Sequence, residues 1–134
     1  MALKLSLKPD EKLVINGAVV ANADRRTTLI VHNKASILRE KDIMQEAEVT
    51  TPARRIYFPI MLMYMDGAGK EKYYEEFVQR MTEFMQAIST PSAIEMCVKI
   101  SRDVMKSNYY AALMTCKKLL KFEEERLNPS SEDD

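Results

Sequence analysis

Few residues in this chain are of the types that catalyse reactions or bind metals. The 134 residues include one histidine, His32, in the β-branched stretch TTLIVHN. A single imidazole needs two or three further ligands to form a metal site, and no serine or cysteine nucleophile motif surrounds His32. We therefore interpret His32 as an ordinary structural histidine.

The cysteines, a pair of glycines and two acidic clusters give no stronger sign of catalysis. Cys97 and Cys116 lie in helical-looking sequence without CxxC spacing, which favours buried thiols. The stretch GAGK at 67–70 lacks the spacing of a phosphate-binding loop and predicts a turn between helices. The acids at 75–76 and 123–125 share their helices with basic residues, as solvated helix faces do. We expect no enzymatic activity, cofactor, metal site or small-molecule substrate.

Arg39 raises a sharper question about what it binds. In KASILREKDIM, residues 34–44, it follows the apolar end of a short strand and precedes Glu40. Most arginines are solvated or paired with a nearby acid, so a salt bridge is the default explanation.

Length, composition and charge limit the classes of protein to which this chain can belong. The chain has the length of one domain or two small packed units, and 46% apolar residues suffice for a core. The formal net charge is zero, but residues 1–56 carry +3 and residues 57–134 carry −3. This distribution permits a local anion-binding face without the global basic excess of a non-specific nucleic-acid binder.

The chain shows neither a membrane span nor a signal peptide. No apolar stretch approaches the roughly 20 residues that cross a bilayer, and MALKLSLKPD alternates lysine with leucine. We expect a cytoplasmic protein without membrane partners.

The first part of the chain has the two-residue period of β-strands. In ALKLSLK the leucines alternate with Lys4, Ser6 and Lys8, which predicts a half-buried strand with these three side chains exposed. Asn16-Gly17 is a strong hairpin signal between KLVI and AVVAN. With TTLIVHN and the segment 36–39, about five short strands form a predicted antiparallel module over residues 1–46.

The second part changes to a helical period. Thr51-Pro52 and Thr90-Pro91 are each a cap followed by proline at the first helical position. About four helices are predicted over residues 52–127, with a kink or break at Pro59. The fold class is therefore α+β. Residues 128–134 are polar and acidic, and we expect a disordered tail.

The first predicted helix is apolar on every side from Ile60 to Met65. Such a helix is enclosed by its own domain or buried against another chain, and methionine suits a surface with more than one partner. We predict a homo-oligomer or partner interface at five residues: Ile60, Met61, Met63, Tyr64 and Met65.

Two segments resemble known families. DEKLVING at 10–17 and LREKDI at 38–43 remotely resemble the RNA-binding carbon storage regulator (CsrA) family, which has a GETLMIG-like strand and a final HREEI. LREKDI is one residue longer, with Leu38 in place of the leading histidine, and Asp10 stands where that family has glycine. Together with TPARRIYF and MYMD, KPDEKLVINGAVV and LREKDIM resemble the flagellin-synthesis regulator FlbT of alphaproteobacteria, over nearly all residues up to about 120.

These resemblances imply a function for the strand module. The FlbT likeness implies a post-transcriptional regulator, usually a repressor, that acts on the 5′ untranslated leader of flagellin mRNA. The CsrA likeness implies that Arg39 grips RNA together with the first strand, and a guanidinium fork suits phosphates and guanine edges. An internal pair with Glu40, Asp42 or another acid stays open as the other role of Arg39. The RNA-binding residues we predict are Lys4, Ser6, Lys8, Arg25, Arg26 and Arg39.

A protein-interaction adaptor is the alternative function. Such an adaptor would regulate flagellin through a flagellar regulatory protein and would not touch RNA. Net neutrality favours it, and so does the lack of aromatic residues on the strands, since every tyrosine and phenylalanine lies at Tyr57 or beyond.

Overall fold

The computed structural model describes residues 2–127. Contacts divide the chain into a strand unit that ends at Ile43 and a helical unit that begins at Met44. Five strands and four α-helices occur in the described residues, which confirms the predicted α+β class. The predicted acidic tail, residues 128–134, lies outside these residues.

The strand unit contains two small antiparallel sheets. β1 pairs with β4 in one sheet, and β2 lies between β3 and β5 in the other. The strand bounds are β1 Leu3–Leu7, β2 Lys12–Ile15, β3 Ala18–Ala21, β4 Thr27–Val31 and β5 Ile37–Arg39.

Alternation along the strands builds the small core of this unit. Leu5 lies opposite Leu29, so both belong to one face of the β1–β4 sheet, while Lys4 and Ser6 lie on the other face. Asn16 and Gly17 have φ values of 49° and 84°, as the predicted tight hairpin requires. The core consists of Leu5, Leu7 and Leu13, with Ile15, Leu29, Val31 and Ile37 packed around them.

The helical unit is organised around its first helix. α1 packs against both α2 and α4, and α3 packs against α4. The described helices are α1 Pro52–Met65, α2 Lys70–Ala87, α3 Pro91–Met105 and α4 Tyr109–Leu127. A central position for α1 explains why its sequence is apolar on all sides.

The beginning of α1 is capped twice. The Thr51 hydroxyl accepts a hydrogen bond from Arg54 N at 3.3 Å, as the cap-plus-proline pattern predicts. The Glu123 carboxylate of α4 accepts from the Thr51 hydroxyl and from Ala53 N, the latter at 2.8 Å. The interpretation of Glu123 as part of a solvated face is therefore wrong, because its charge is held at the helix N-terminus. At Pro59 the helix continues without the predicted break.

The buried face of α3 differs from the predicted one. The sequence suggested one apolar face with Ile94, Val98, Ser101 and Met105, but Val98 and Met105 are exposed. α3 buries the neighbouring row of side chains instead, and its main contacts are with α4. That row consists of Ala93, Cys97, Ile100 and Val104.

The GAGK stretch forms a turn, as predicted. Gly67–Gly69 is a single 3-10 turn between α1 and α2. Asp66 holds it, accepting hydrogen bonds from Ala68 N at 3.2 Å and from the Tyr73 hydroxyl at 2.9 Å. The bond to Asp66 raises the pKa of Tyr73.

Candidate nucleic-acid interface

An open cleft of about 720 Å³ lies in the strand unit, and we call it the basic cleft. Four predicted RNA-binding residues line it: Ser6, Lys8, Arg26 and Arg39. The remaining lining residues are Pro9, Asp10, Glu11, Glu40 and Lys41. Residues from three separate segments therefore meet at one surface.

The turn between β1 and β2 forms one wall of the cleft. Glu11 N donates to Lys8 O at 3.1 Å, which closes a tight turn over Pro9 and Asp10. Asp10 adopts φ 64°, a left-handed conformation that aspartate tolerates better than most residues.

Arg39 crosses from one sheet to the other at the floor of the cleft. Its Nη2 donates to Ser6 O at 2.6 Å and to Glu11 Oε2 at 2.8 Å, and its Nε donates to the same oxygen at 3.2 Å. An internal pair with an acid is thus present, and the acid is Glu11 rather than Glu40 or Asp42. Because 32% of the Arg39 side chain stays exposed, the same group also faces the cleft.

Two carboxylates in the cleft are held by backbone N–H groups. Glu11 Oε1 accepts from Lys8 N at 2.9 Å, and this bond, followed by the one from Arg39, lowers the pKa of Glu11. Glu40 Oε1 accepts from Lys12 N at 2.6 Å. Both acids therefore serve the fold while keeping their charge, and the cleft has four cationic side chains against three acidic ones, counting Asp10.

Three cations of the cleft are available to a ligand. Lys8, Arg26 and Lys41 form no ion pair with any residue between 2 and 127. Their charges lie around an open surface, which suits an extended anion such as a phosphate chain.

Two predicted RNA-binding residues lie outside the cleft. Lys4 is on the same face of β1 as Ser6 but further from the turn, and Arg25 precedes the cleft residue Arg26 in the loop before β4. Sequence reasoning missed Lys41 and the role of Glu11. Lys41 follows the LRE motif by one residue, so its position beside Arg39 could have been noticed.

The predicted oligomer interface lies mostly inside the helical unit. Ile60, Met61 and Met63 are buried by their own unit, and Tyr64 and Met65 are half-buried. These three side chains are therefore buried without a second chain. The prediction that they form an interface with another chain is wrong.

Two adjoining cavities open on the helical unit. One, of about 280 Å³, has almost entirely apolar walls that include Phe84, Ile88 and Phe122. The other, of about 450 Å³, lies beside Pro59. Both are lined by Arg55 and Arg80. Arg80 is held by Glu76 and Glu83, whereas the Arg55 side chain has no ion pair within residues 2–127.

Residues 2–127 contain neither a metal-binding cluster nor a membrane-spanning helix. No group of three or more His, Cys, Asp or Glu side chains between residues 2 and 127 is arranged to hold a metal ion. No described helix combines the length and apolar character needed to cross a membrane. Cys97 and Cys116 are buried free thiols, as predicted.

Comparison with known proteins assigns the family. The family model described as "Flagellar protein FlbT" matches residues 3–127. This chain belongs to the FlbT family.

Relatives in the FlbT family cover nearly the whole chain. A probable flagellum biosynthesis repressor protein FlbT of Caulobacter vibrioides is 59% identical over 127 residues, which are 95% of this chain and 90% of that protein. The FlbT protein of Rhodopseudomonas palustris is 36% identical, covering 96% of this chain and 99% of its own. No solved structure matches. None of these matches supports the likeness to the carbon storage regulator family, so an RNA role for the cleft depends on its geometry.

Proposed function

We propose that this chain is a post-transcriptional repressor of flagellin synthesis that binds the 5′ untranslated leader of flagellin mRNA through the basic cleft. The observation that supports it is the convergence of Ser6, Lys8, Arg26, Arg39 and Lys41 on one open surface. The FlbT relatives are named flagellum biosynthesis repressors, which supports the regulatory part of the proposal.

The cleft suits a single-stranded segment better than a regular duplex. Its cations form a short patch, and single-stranded loops splay out phosphates and base edges that such a patch can reach. Arg39 is fixed by Glu11 and Ser6, so it offers a pre-oriented guanidinium at the floor. Lys8, Arg26 and Lys41 supply mobile charge around it.

Titration of the full chain against a flagellin leader RNA at two salt concentrations tests the proposal. We expect a saturable isotherm whose log K falls with log salt, by about 0.7 per phosphate neutralised on single-stranded RNA. Arg26→Ala and Lys41→Ala should each weaken binding and reduce that slope. The paired control is Lys118→Ala with Lys121→Ala, two exposed lysines of α4 outside the cleft.

An RNA of the same length and shuffled sequence separates specific from general binding. Equal affinity for both RNAs contradicts leader recognition. Unchanged binding in the Arg26 and Lys41 variants contradicts the cleft as its site.

The adaptor remains the second candidate, favoured by the cavities of the helical unit. The apolar walls of the smaller cavity and Arg55, which forms no ion pair within residues 2–127, suit a peptide with apolar and acidic side chains. This function predicts that Arg55→Glu abolishes regulation of a leader–reporter fusion in cells while Arg26→Ala does not. Absence of RNA binding at micromolar protein, together with that result, replaces the first function by the second.

A further inference from the structure

The strand unit has four outer strand edges, and two of them are protected. On β1, Ser6 O is occupied by Arg39, and lysines flank it at positions 4 and 8. β5 has three residues and ends at a charged 3-10 turn, Glu40–Asp42. Short edges and charged side chains are the common means by which proteins prevent pairing with another chain.

The outer edges of β3 and β4 lack such protection. β3 reads AVVA and β4 reads TTLIV, so neither contains a charge or a proline. Every residue of β3 is exposed; Val19 is 70% exposed, and Ile30 on β4 is 48% exposed. Within residues 2–127, β3 pairs only with β2, and β4 pairs only with β1.

The size of the strand unit adds a second observation. It ends at Ile43, and its buried apolar side chains are five: Leu5, Leu7, Leu13, Val14 and Leu38. Units of roughly 40 residues usually need disulfides, metals or oligomerisation for stability. Both cysteines of this chain lie in the helical unit, so burial against another surface is the means left to the strand unit.

We propose that two copies of this chain pair through these edges, β4 of each copy joining β3 of the other. Each two-stranded sheet would then continue into the three-stranded sheet of its partner. A two-fold axis makes both contacts identical and closes all four unprotected edges, whereas β3–β3 pairing leaves β4 open. The strands match in length, four and five residues, and their lack of charge fits a second copy better than a charged partner.

Light scattering after gel filtration of the full chain, at tens of micromolar, tests the dimer. We expect twice the 15.4 kDa chain mass for the native protein and for Val98→Lys, a control at an exposed α3 valine. Val19→Lys and Ile30→Glu, whose new carboxylate faces Lys4 on β1, should each elute as monomers with an unchanged circular dichroism spectrum at low temperature. A monomeric native protein, or a dimer that persists in both strand variants, overturns the proposal.

Mixing variants identifies which strands pair. Val19→Lys mixed with Ile30→Glu should restore dimers, because one β3–β4 contact is then native and the other brings opposite charges onto adjacent strands. If dimers form instead when Val19→Lys is mixed with Val19→Glu, then β3 pairs with β3. That result overturns the reciprocal β3–β4 arrangement. These experiments measure the mass of the protein and do not involve RNA, so their outcome is independent of the proposed function.

Discussion

Arg39 acts first as a link between two sheets of the strand unit. Its guanidinium joins the end of β5 to Ser6 O on β1 and to Glu11 at the start of β2. We expect Arg39→Ala to lower the melting temperature of the strand unit by a few degrees, since a carbonyl and a carboxylate lose their donor. Thermal unfolding followed by circular dichroism measures this. Arg25→Ala, an exposed arginine outside the cleft, is the matched control and should leave melting unchanged; equal effects of the two substitutions contradict the linking role.

The Glu11 carboxylate makes this link dependent on pH. Hydrogen bonds from Lys8 N and Arg39 lower its pKa in the folded state below the ordinary value of 4.5. A lowered pKa stabilises the fold above the unfolded pKa, and that stability is lost as the pH falls through the folded value. The native protein should therefore melt higher than Glu11→Gln near pH 7, and the difference should shrink as the pH falls below about 4.5. A difference that stays constant between pH 7 and pH 3 would show that the charge of Glu11 does not matter.

Sequence patterns located Arg39 but did not identify its partner. The two hypotheses for this residue were RNA and an internal acid, and both Glu40 and Asp42 are closer in sequence than Glu11. The pair forms because β2 lies between β3 and β5, which brings residues 11 and 39 together. Strand order depends on long-range pairing, which alternation along one strand does not encode.

At the scale of elements, α1 depends on a residue from the end of α4. The Glu123 carboxylate binds Ala53 N and the Thr51 hydroxyl, in the manner of a cap supplied by another helix. We expect Glu123→Gln to lower the free energy of unfolding of the helical unit by roughly 1–2 kcal/mol, the usual cost of losing a good N-cap. Chemical denaturation measures it, with Glu125→Gln as the exposed control on the same helix. Equal stability of both variants contradicts the capping role.

The helices show which elements a sequence can predict. Cap-plus-proline pairs gave correct starts for α1 and α3, because proline at the first helical position is a local signal; the threonine side chain caps the helix only at α1. The face of α3 was assigned wrongly, because Val98 and Met105 are as apolar as the residues that α3 buries. The choice between adjacent rows depends on the shape of α4, which the α3 sequence does not contain. The three buried residues of the predicted α1 interface, Ile60, Met61 and Met63, were assigned wrongly for a related reason, since a central helix and an interface helix have the same composition.

For the whole molecule, the division into two compact units leads us to expect that the strand and helical parts unfold separately. The labelling rate of both cysteine thiols measures opening of the helical unit only, because Cys97 lies on α3 and Cys116 on α4. Burial raises the pKa of Cys97 to about 11, and that of Cys116 is also raised by burial. At pH 8, on the order of one Cys97 thiol in a thousand is therefore ionised, and native labelling by a thiol reagent should be slow.

Thiol labelling of three proteins separates the two units. Glu123→Gln should speed the labelling of Cys97 and Cys116 several-fold, since it favours opening of the helical unit. Arg39→Ala should leave the labelling rate at the native value while it lowers the melting temperature of the strand unit, because its hydrogen bonds lie between residues 6 and 39. Faster labelling in Arg39→Ala would contradict separate unfolding and mean that the two units unfold together as one cooperative structure.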